Sequence, residues 1–539
     1  MSRPVFIGIT MLIALIVGVI GDLLFNLTPS TRLGINAPLY VLTLVLSVFI
    51  AARIAKVRVN RRNLWIVVPL LFFAFMLAIR TDASLSLLNM LAVIALGGFG
   101  LVYLFAPYAI DDEPISQMVG SVLDGTFGSA FMPLSVGIEF GTHTVSGAIN
   151  AGREGKLPRQ VIAIGRGALI AVPILAVFGV LFIAADAVFQ SYVERVANWF
   201  DQDTFWALGQ HGIVIAVFGW AACGAIAYGV LRRIGAPAAP AEAEHKPKRV
   251  PFTLGIIEAA VILGSVVALF GLFVVIQFAY FFGGTAALEL SGLTYAEYAR
   301  RGFFELVAVS LLTLALVLWL DWVTVRGTPQ QKWVFRGAAT ALVGLTGVIL
   351  LSAANRMYLY EEAWGFTHLR VYVHIFIYWI GVLFGFFLLS LYRVRGEKRV
   401  FALGVLLTLI GYAGTLNLIN VDLYIAERNI ERYENGEVLD VGYLYTLSAD
   451  AAPAMIDLFM SLGETPAEKD AALHQALGQW LRRQYDGVRQ DFQAGANPLA
   501  WHYGRGMAYA ALSRIDRYIP PYDRDFYMSS SRSAYDFVR

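Results

Sequence analysis

Histidine, carboxylate and arginine side chains concentrate in SAANRMYLYEEAWGFTHLRVYVHIF, residues 352–376. Such groups can bind ions, exchange protons or form buried ion pairs. One apolar segment precedes this stretch and another begins inside it, so we interpret the stretch as an external turn at the edge of a membrane. The candidate residues here are Arg356, Glu361, Glu362, His368, Arg370 and His374.

A second charged stretch, SGLTYAEYARRGFFELVAV (291–309), opens with a T-x-x-E capping box, which predicts that a helix begins there. Arg300 and Arg301 follow, and Arg301 is four residues from Glu305, the spacing of an ion pair on one helix face. One interpretation is an interfacial anchor whose arginines contact lipid phosphates. The other is one wall of an external polar site.

The third polar stretch is TLNLINVDLYIAERN (415–429), where Asn420 and Asp422 follow an apolar segment. A constellation of charged side chains at membrane depth predicts a functional site. The same side chains could also form a structural network of ion pairs between the apolar segments and a domain outside the membrane. The sequence leaves both interpretations open.

Glu361, Glu362, His368 and His374 are metal-ligand residue types, but their spacing matches no H-E-x-x-H or similar motif. We therefore predict no metal and no cofactor. The sequence contains no Walker or dinucleotide fingerprint, and its His and Ser residues suggest no catalytic triad. No basic–aromatic pattern indicates nucleic acid, so we expect no nucleic-acid partner.

The composition indicates which kind of secondary structure positions these residues. The 539 residues are 58% hydrophobic and only 15% charged, whereas soluble proteins carry roughly 25% charged residues. Apolar runs of the length that crosses a bilayer recur through most of the chain. The sequence predicts an all-α, polytopic helical membrane protein with about 11 transmembrane helices, at residues 5–25, 38–55, 64–80, 83–106, 164–186, 209–231, 253–282, 303–323, 337–354, 371–392 and 400–419.

Basic residues cluster in alternate loops, which predicts the orientation. Five Lys and Arg residues lie within 53–62, and further basic groups lie in 153–160, 231–250, 325–336 and 393–399. Basic loops face the cytoplasm, so the N-terminus is predicted inside and everything after residue 420 outside.

We divide the chain by changes in composition. Residues 1–234 form a first membrane half of six spans, with a Gly-rich cytoplasmic segment at 107–160 for which an interfacial helix is one option. Residues 235–250 are an Ala/Pro-rich cytoplasmic linker, and residues 251–420 form a second half of five spans. Residues 421–539 are predicted to form a small extracytoplasmic helical domain, with apolar side chains at helical spacing.

The motifs GLTYAEYARRGFFELVAV, NRMYLYEEAWGFTHLRVYV and LNLINVDLYIAERNIERYENGEVLDVGYLYTLSADAAPAM resemble a bacterial family of multi-span membrane proteins. This family is the domain of unknown function 4173, which is related to domain 4153. The similarity covers residues 160–460. Where related chains have Asn-Pro-Asp after the last span, this sequence has Asn420-Val421-Asp422. The resemblance implies a bacterial inner-membrane protein and brings no activity with it.

The sequence therefore predicts an inner-membrane protein of the bacterial cell envelope that binds or transports a polar or amphiphilic solute through an external polar site. The alternatives are a membrane enzyme acting on lipid-linked envelope precursors, and a non-catalytic sensor or scaffold. The expected partners are the lipid bilayer, an envelope lipid or small solute, and a protein at the C-terminal domain.

Overall fold

The computed structural model describes residues 2–25, 32–110, 115–151, 202–234, 254–282, 303–392, 397–463, 466, 470–492 and 498–523. The regular structure of these residues is helical throughout, without a strand, so the prediction of an all-α polytopic fold is confirmed. Within this part of the chain, nine helices are long and apolar enough to cross a bilayer. The protein is therefore a multi-pass membrane protein.

The described residues form a series of α-helices. In chain order they are α1 (Arg3–Phe25), α2 (Asn36–Ala55), α3 (Val67–Met76), α4 (Ala83–Tyr103), α5 (Ile115–Ala151), α6 (Gln202–Gly229), α7 (Ile256–Phe282), α8 (Phe303–Val323), α9 (Pro329–Trp364), α10 (His368–Tyr392), α11 (Glu397–Ile419), α12 (Val421–Glu434), α13 (Val441–Leu444), α14 (Ala452–Ser461), α15 (Ala471–Arg489) and α16 (Tyr503–Ile515).

Local sequence signals determine where several of these helices begin. The Asp82 side chain accepts a hydrogen bond from a backbone N–H in the first turn of α4 and so caps that helix. Helix α9 begins with a complete capping box, in which Thr328 and Gln331 bond each other's backbone and Pro329 occupies the first turn.

Nine of the predicted spans coincide with these long apolar helices. The predicted span at 64–80 is a 3-10 turn followed by α3, which ends at Met76. The predicted span at 164–186 lies outside the described residues.

Helix α9 continues well beyond the predicted end of its span at residue 354. Its 36 residues are about 54 Å long at 1.5 Å per residue, against about 30 Å for the hydrocarbon core of a bilayer. Arg356, Glu361 and Glu362 therefore lie on a helix, and the turn itself is only 365–367. The helix ends at Gly365, whose φ of 79° suits glycine.

The loops meet on two opposite faces of the bundle. On one, which we call the C-terminal face, the Arg505 side chain donates to the Leu33 carbonyl, and the Tyr503 N–H donates to the Ala78 carbonyl. On the opposite face, the Asn60 N–H donates to the Leu104 carbonyl. The orientation of the loops relative to the membrane stays a prediction.

Helix α5 forms part of the segment 107–160, whose fold the sequence did not assign. It packs closely on α4, since a side chain at Gly125 would meet the Gly98 backbone. It also contacts the ends of α6 and α1 on the opposite face, through Asp124 with Tyr228 and through Glu139 with Arg3.

The helices after residue 420 share one hydrophobic core with the ends of the spans. Leu85 of α4, Val371 of α10 and Leu416 of α11 belong to the same buried cluster as Trp480 and Leu512 of the C-terminal helices. Polar contacts at the loop between α1 and α2 reinforce this docking. Arg32 and Arg505 both pair with Asp491, at 3.5 and 2.5 Å, and the Ile35 N–H donates to the Trp501 carbonyl at 2.8 Å.

Candidate functional site at the C-terminal face

Three helix starts bring Asp82, His368 and Asp422 together at the C-terminal face. Asp82 precedes α4, His368 is the first residue of α10, and Asp422 lies in the first turn of α12. The His368 Nε2 atom is hydrogen-bonded to Asp422 Oδ1 and lies 4.0 Å from Asp82 Oδ2. We call these residues, with Tyr443, the aspartate–histidine cluster.

Each member of the cluster is held in place by a second contact. The Tyr443 hydroxyl lies 2.8 Å from His368 Nδ1 and accepts a 2.6 Å hydrogen bond from the His368 backbone N–H. Asp422 Oδ2 accepts a 2.8 Å bond from the Ser448 N–H, and Asp82 Oδ1 accepts a 2.7 Å bond from the α4 backbone. The orientation of all three side chains is thus fixed by the fold.

Burial differs among the three side chains. The Asp422 side chain is 1% exposed, whereas those of Asp82 and His368 are 13% and 25% exposed. The cluster is therefore closed on the Asp422 side and reachable by solvent from the side of Asp82 and His368.

The pKa values of the two carboxyl groups move in opposite directions. Burial raises the pKa of Asp82, and the nearby Asp422 carboxylate adds to this effect. Burial would also raise the pKa of Asp422, but hydrogen bonds from His368 and Ser448 outweigh it and lower that pKa below its ordinary value. Burial raises the pKa of Tyr443 to about 12, so its hydroxyl stays protonated.

A second polar group adjoins the cluster through Ser448. Asp450 Oδ2 accepts a 3.0 Å hydrogen bond from the Thr81 N–H, and the Thr81 hydroxyl donates to Ser448 Oγ at 2.9 Å. Asp450 is 8% exposed, and burial raises its pKa to about 6. These bonds join the loop before α4 to the segment after α13.

An amide pair lies two turns deeper in the bundle. Asn89 of α4 and Asn417 of α11 exchange two side-chain hydrogen bonds of 2.8 Å, and both residues are fully buried. Arg80 donates to the Asn417 and Leu418 carbonyls at the end of α11. The two predicted membrane halves are therefore bonded to each other directly below the cluster.

Two other predicted site residues form a separate pair. His374 Nδ1 lies 2.8 Å from Glu361 Oε2, and its Nε2 lies 3.2 Å from the Tyr378 hydroxyl. Glu361 is buried, and its bond to His374 joins α9 to α10. His374 is six residues after His368 and faces a different side of α10.

The remaining residues of the turn contact the end of α9. Arg370 donates to the Trp364 and Gly365 carbonyls, a favourable position for a cation at a helix C-terminus. Glu362 is exposed and accepts a 2.6 Å bond from the Tyr358 hydroxyl.

The other predicted residues divide between described and undescribed parts of the chain. Arg356 is buried on α9, and Asn420 adopts a φ of 55° at the start of α12. Arg300 and Arg301 lie outside the described residues, as does the side chain of Glu305. Of the predicted set, the cluster unites His368 and Asp422. A single site containing all the predicted residues stays a prediction.

The sequence reasoning missed Asp82, Tyr443 and Asp450. A signal for Asp82 was present, because the polar run Arg80-Thr81-Asp82 separates two predicted spans on the same face as His368. Nothing in the sequence distinguished Tyr443 from the other tyrosines of the C-terminal segment.

The comparisons with known proteins place the chain in a family without assigning it an activity. No curated protein and no solved structure matches it. A family model described as "Domain of unknown function (DUF4153)" matches residues 67–458, and this range contains every member of the aspartate–histidine cluster. The chain therefore belongs to the DUF4153 family.

Proposed function

We propose that this protein binds a polar or amphiphilic solute of the bacterial envelope at the aspartate–histidine cluster. In this proposal the protein resides in the inner membrane and its C-terminal face is extracytoplasmic, where such a solute would be met. The resemblance of the motifs quoted above to a bacterial family of multi-span membrane proteins supports the bacterial assignment.

The observation that carries the proposal is the convergence of Asp82, His368 and Asp422 from three distant parts of the chain. Buried charged side chains are costly unless they are paired, and a partly exposed cluster of them is a candidate binding site. Two carboxylates share one imidazole here, so negative charge is only partly compensated within the triad. The exposed edges of Asp82 and His368 give a ligand access to that charge.

The contacts of His368 are compatible with binding and with catalysis. Its Nε2 is hydrogen-bonded to Asp422 and its Nδ1 lies beside the Tyr443 hydroxyl. Any role of Nε2 toward a ligand or a substrate proton therefore needs the bond to Asp422 to open. An enzyme acting on lipid-linked precursors is the alternative function. A sensor or scaffold role needs a partner at the C-terminal helices.

Orientation can be tested with single cysteines, since Cys223 is the only cysteine of the chain. In a Cys223→Ser background, Asp457→Cys places a thiol on an exposed site of α14, and Arg58→Cys places one on the opposite face. We expect a membrane-impermeant maleimide to label Asp457→Cys in intact cells and Arg58→Cys only after permeabilisation. The reverse pattern would refute the proposed orientation.

Solute binding is tested by what remains bound to the full-length protein. The protein is extracted in mild detergent, and retained small molecules and lipids are identified by mass spectrometry. We expect Asp82→Asn to lose at least about two-thirds of a specific retained molecule, because it removes a solvent-reachable charge. The matched control, Asp457→Asn, changes an exposed carboxylate in the same way. Equal retention by both variants would refute the proposal.

A further inference from the structure

Asp82, His368 and Asp422 present a set of ligand atoms of the kind that binds metal ions. One nitrogen and two carboxylate oxygens, one atom from each residue, lie within 4.8 Å of one another. These atoms come from three separate helix starts, so the fold gathers them at one point. We propose that this triad binds a divalent transition-metal ion of the zinc or manganese class.

The contacts around the triad are those of a built metal site. Each residue directs one atom to the common point and uses its other polar atom elsewhere: Asp422 with the Ser448 N–H, Asp82 with the α4 backbone and His368 with the Tyr443 hydroxyl. A ligating histidine is typically oriented in this way by a partner on its second ring nitrogen. A chance meeting of charged side chains has no reason to orient all three members.

The distances suit a small ion after a modest adjustment. Ligand atoms around a tetrahedral zinc ion with bonds of about 2.1 Å are about 3.4 Å apart. His368 Nε2 and Asp82 Oδ2 are 4.0 Å apart and would approach slightly. The hydrogen bond between His368 and Asp422 would open as the ion takes its place.

Charge and ligand type define the ion. Two carboxylates and a neutral imidazole carry two negative charges, which a divalent cation balances. The imidazole nitrogen in the set favours zinc over magnesium and calcium, which prefer oxygen ligands alone, and the two carboxylates also suit manganese. Asp82 and His368 are partly exposed, which leaves space for a water or a solute atom as a further ligand.

This inference rests on the proposed function in treating the cluster as a binding site, and it narrows the solute class. A cation held at the solvent-reachable edge would bind an anionic group, such as a phosphate or carboxylate of an envelope solute. Ion binding itself can be measured with no solute present.

Three variants distinguish a loss of metal binding from a loss of folding. Asp82→Asn removes a ligand charge but preserves the cap of α4, since Asn caps helices as well as Asp. Tyr443→Phe removes only the hydroxyl beside His368 Nδ1. Asp457→Asn is the control, because its carboxylate is exposed on α14, away from the cluster.

The experiment uses the full-length protein without an affinity tag, stripped with a chelator and titrated with zinc or manganese against a competing chelating dye. We expect about one zinc ion per wild-type chain. We expect affinity to fall more than about 100-fold in Asp82→Asn and about tenfold in Tyr443→Phe, with no change in the control. Equal zinc affinity in wild type and Asp82→Asn would overturn the proposal, as would binding of calcium or magnesium alone.

The two proposals can fail independently. If Asp82→Asn loses zinc but retains the same small molecules as wild type, the metal site stands and the solute proposal fails. If Asp82→Asn loses the retained molecule while the wild-type protein binds neither zinc nor manganese, the metal proposal fails and solute binding stands.

Discussion

Replacing Asp450 with Asn should change how the stability of this protein depends on pH. Asp450 is nearly buried, and its side chain accepts a hydrogen bond from Thr81. Arg80 attracts the charged form of this carboxyl, whereas Asp422 repels it. His502, whose Nε2 lies 3.2 Å from the Arg80 carbonyl, has its pKa lowered to about 3 by burial and stays neutral between pH 4.5 and 7.5.

The size of the effect follows from the pKa of Asp450, which is raised from 3.8 to about 6 in the folded protein. The folded state therefore binds this proton more tightly than the unfolded state does. The stabilisation that protonated Asp450 gives the folded protein is complete below about pH 4 and is lost as the pH rises through 6. At 1.36 kcal/mol per pKa unit the full change is about 3 kcal/mol, and about 2 kcal/mol of it falls between pH 4.5 and 7.5.

The assay compares thermal unfolding of wild type and Asp450→Asn in detergent, followed by tryptophan fluorescence at pH 4.5 and 7.5. Asp422 titrates in the opposite sense, since its lowered pKa gives stability that is lost as the pH falls. Subtracting the unfolding free energy of one protein from that of the other at each pH removes the contribution of Asp422. We expect the stability of Asp450→Asn relative to wild type to increase by about 2 kcal/mol from pH 4.5 to 7.5. A stability difference between Asp450→Asn and wild type that does not change with pH would refute the reasoning.

Two further predictions concern the packing of the bundle and the end of α9. Asn89→Leu should lower the free energy of unfolding by about 1–2 kcal/mol, because Asn417 then loses its buried partner. Thermal unfolding should show that adding Asn417→Leu recovers part of this loss, and a further loss would contradict the pairing. Gly365→Ala should cost about 1–3 kcal/mol, because φ is 79° and a Cβ would lie 2.7 Å from Asn429 Oδ1. Gly436→Ala has a positive φ but no neighbour within 4 Å, so its loss in the same assay should be smaller.

Hydropathy was sufficient to predict the all-α membrane fold, because a segment that crosses a bilayer must be apolar along its whole length. It located the end of α9 poorly. Charged residues such as Glu361 and Glu362 lower the hydropathy of the chain but do not interrupt a helix, whose backbone bonds are independent of side-chain polarity. Helix α9 therefore continues until Gly365, where the backbone conformation ends it.

The candidate site was only partly predictable for a related reason. His368 and Asp422 were recognisable as ionisable residues at the ends of apolar segments. Asp82 was not predicted, because a helix cap such as Asp82 needs only one carboxylate oxygen and local sequence cannot show where the other points. Tyr443 joins the cluster through the docking of α13, which is set by tertiary packing and not by any local motif.

The cluster is shared between the spans and the C-terminal helices, and this sharing has a thermodynamic consequence. Asp82 and His368 belong to the ends of spans, whereas Asp422 and Tyr443 follow the last span. The complete arrangement therefore exists only when the C-terminal helices are docked. Any ligand that binds this arrangement more tightly than the undocked chain must stabilise docking by the same free energy. Occupancy of the cluster and the position of the C-terminal helices are thus linked, so a binding site at this junction can also report its state to a partner on that domain.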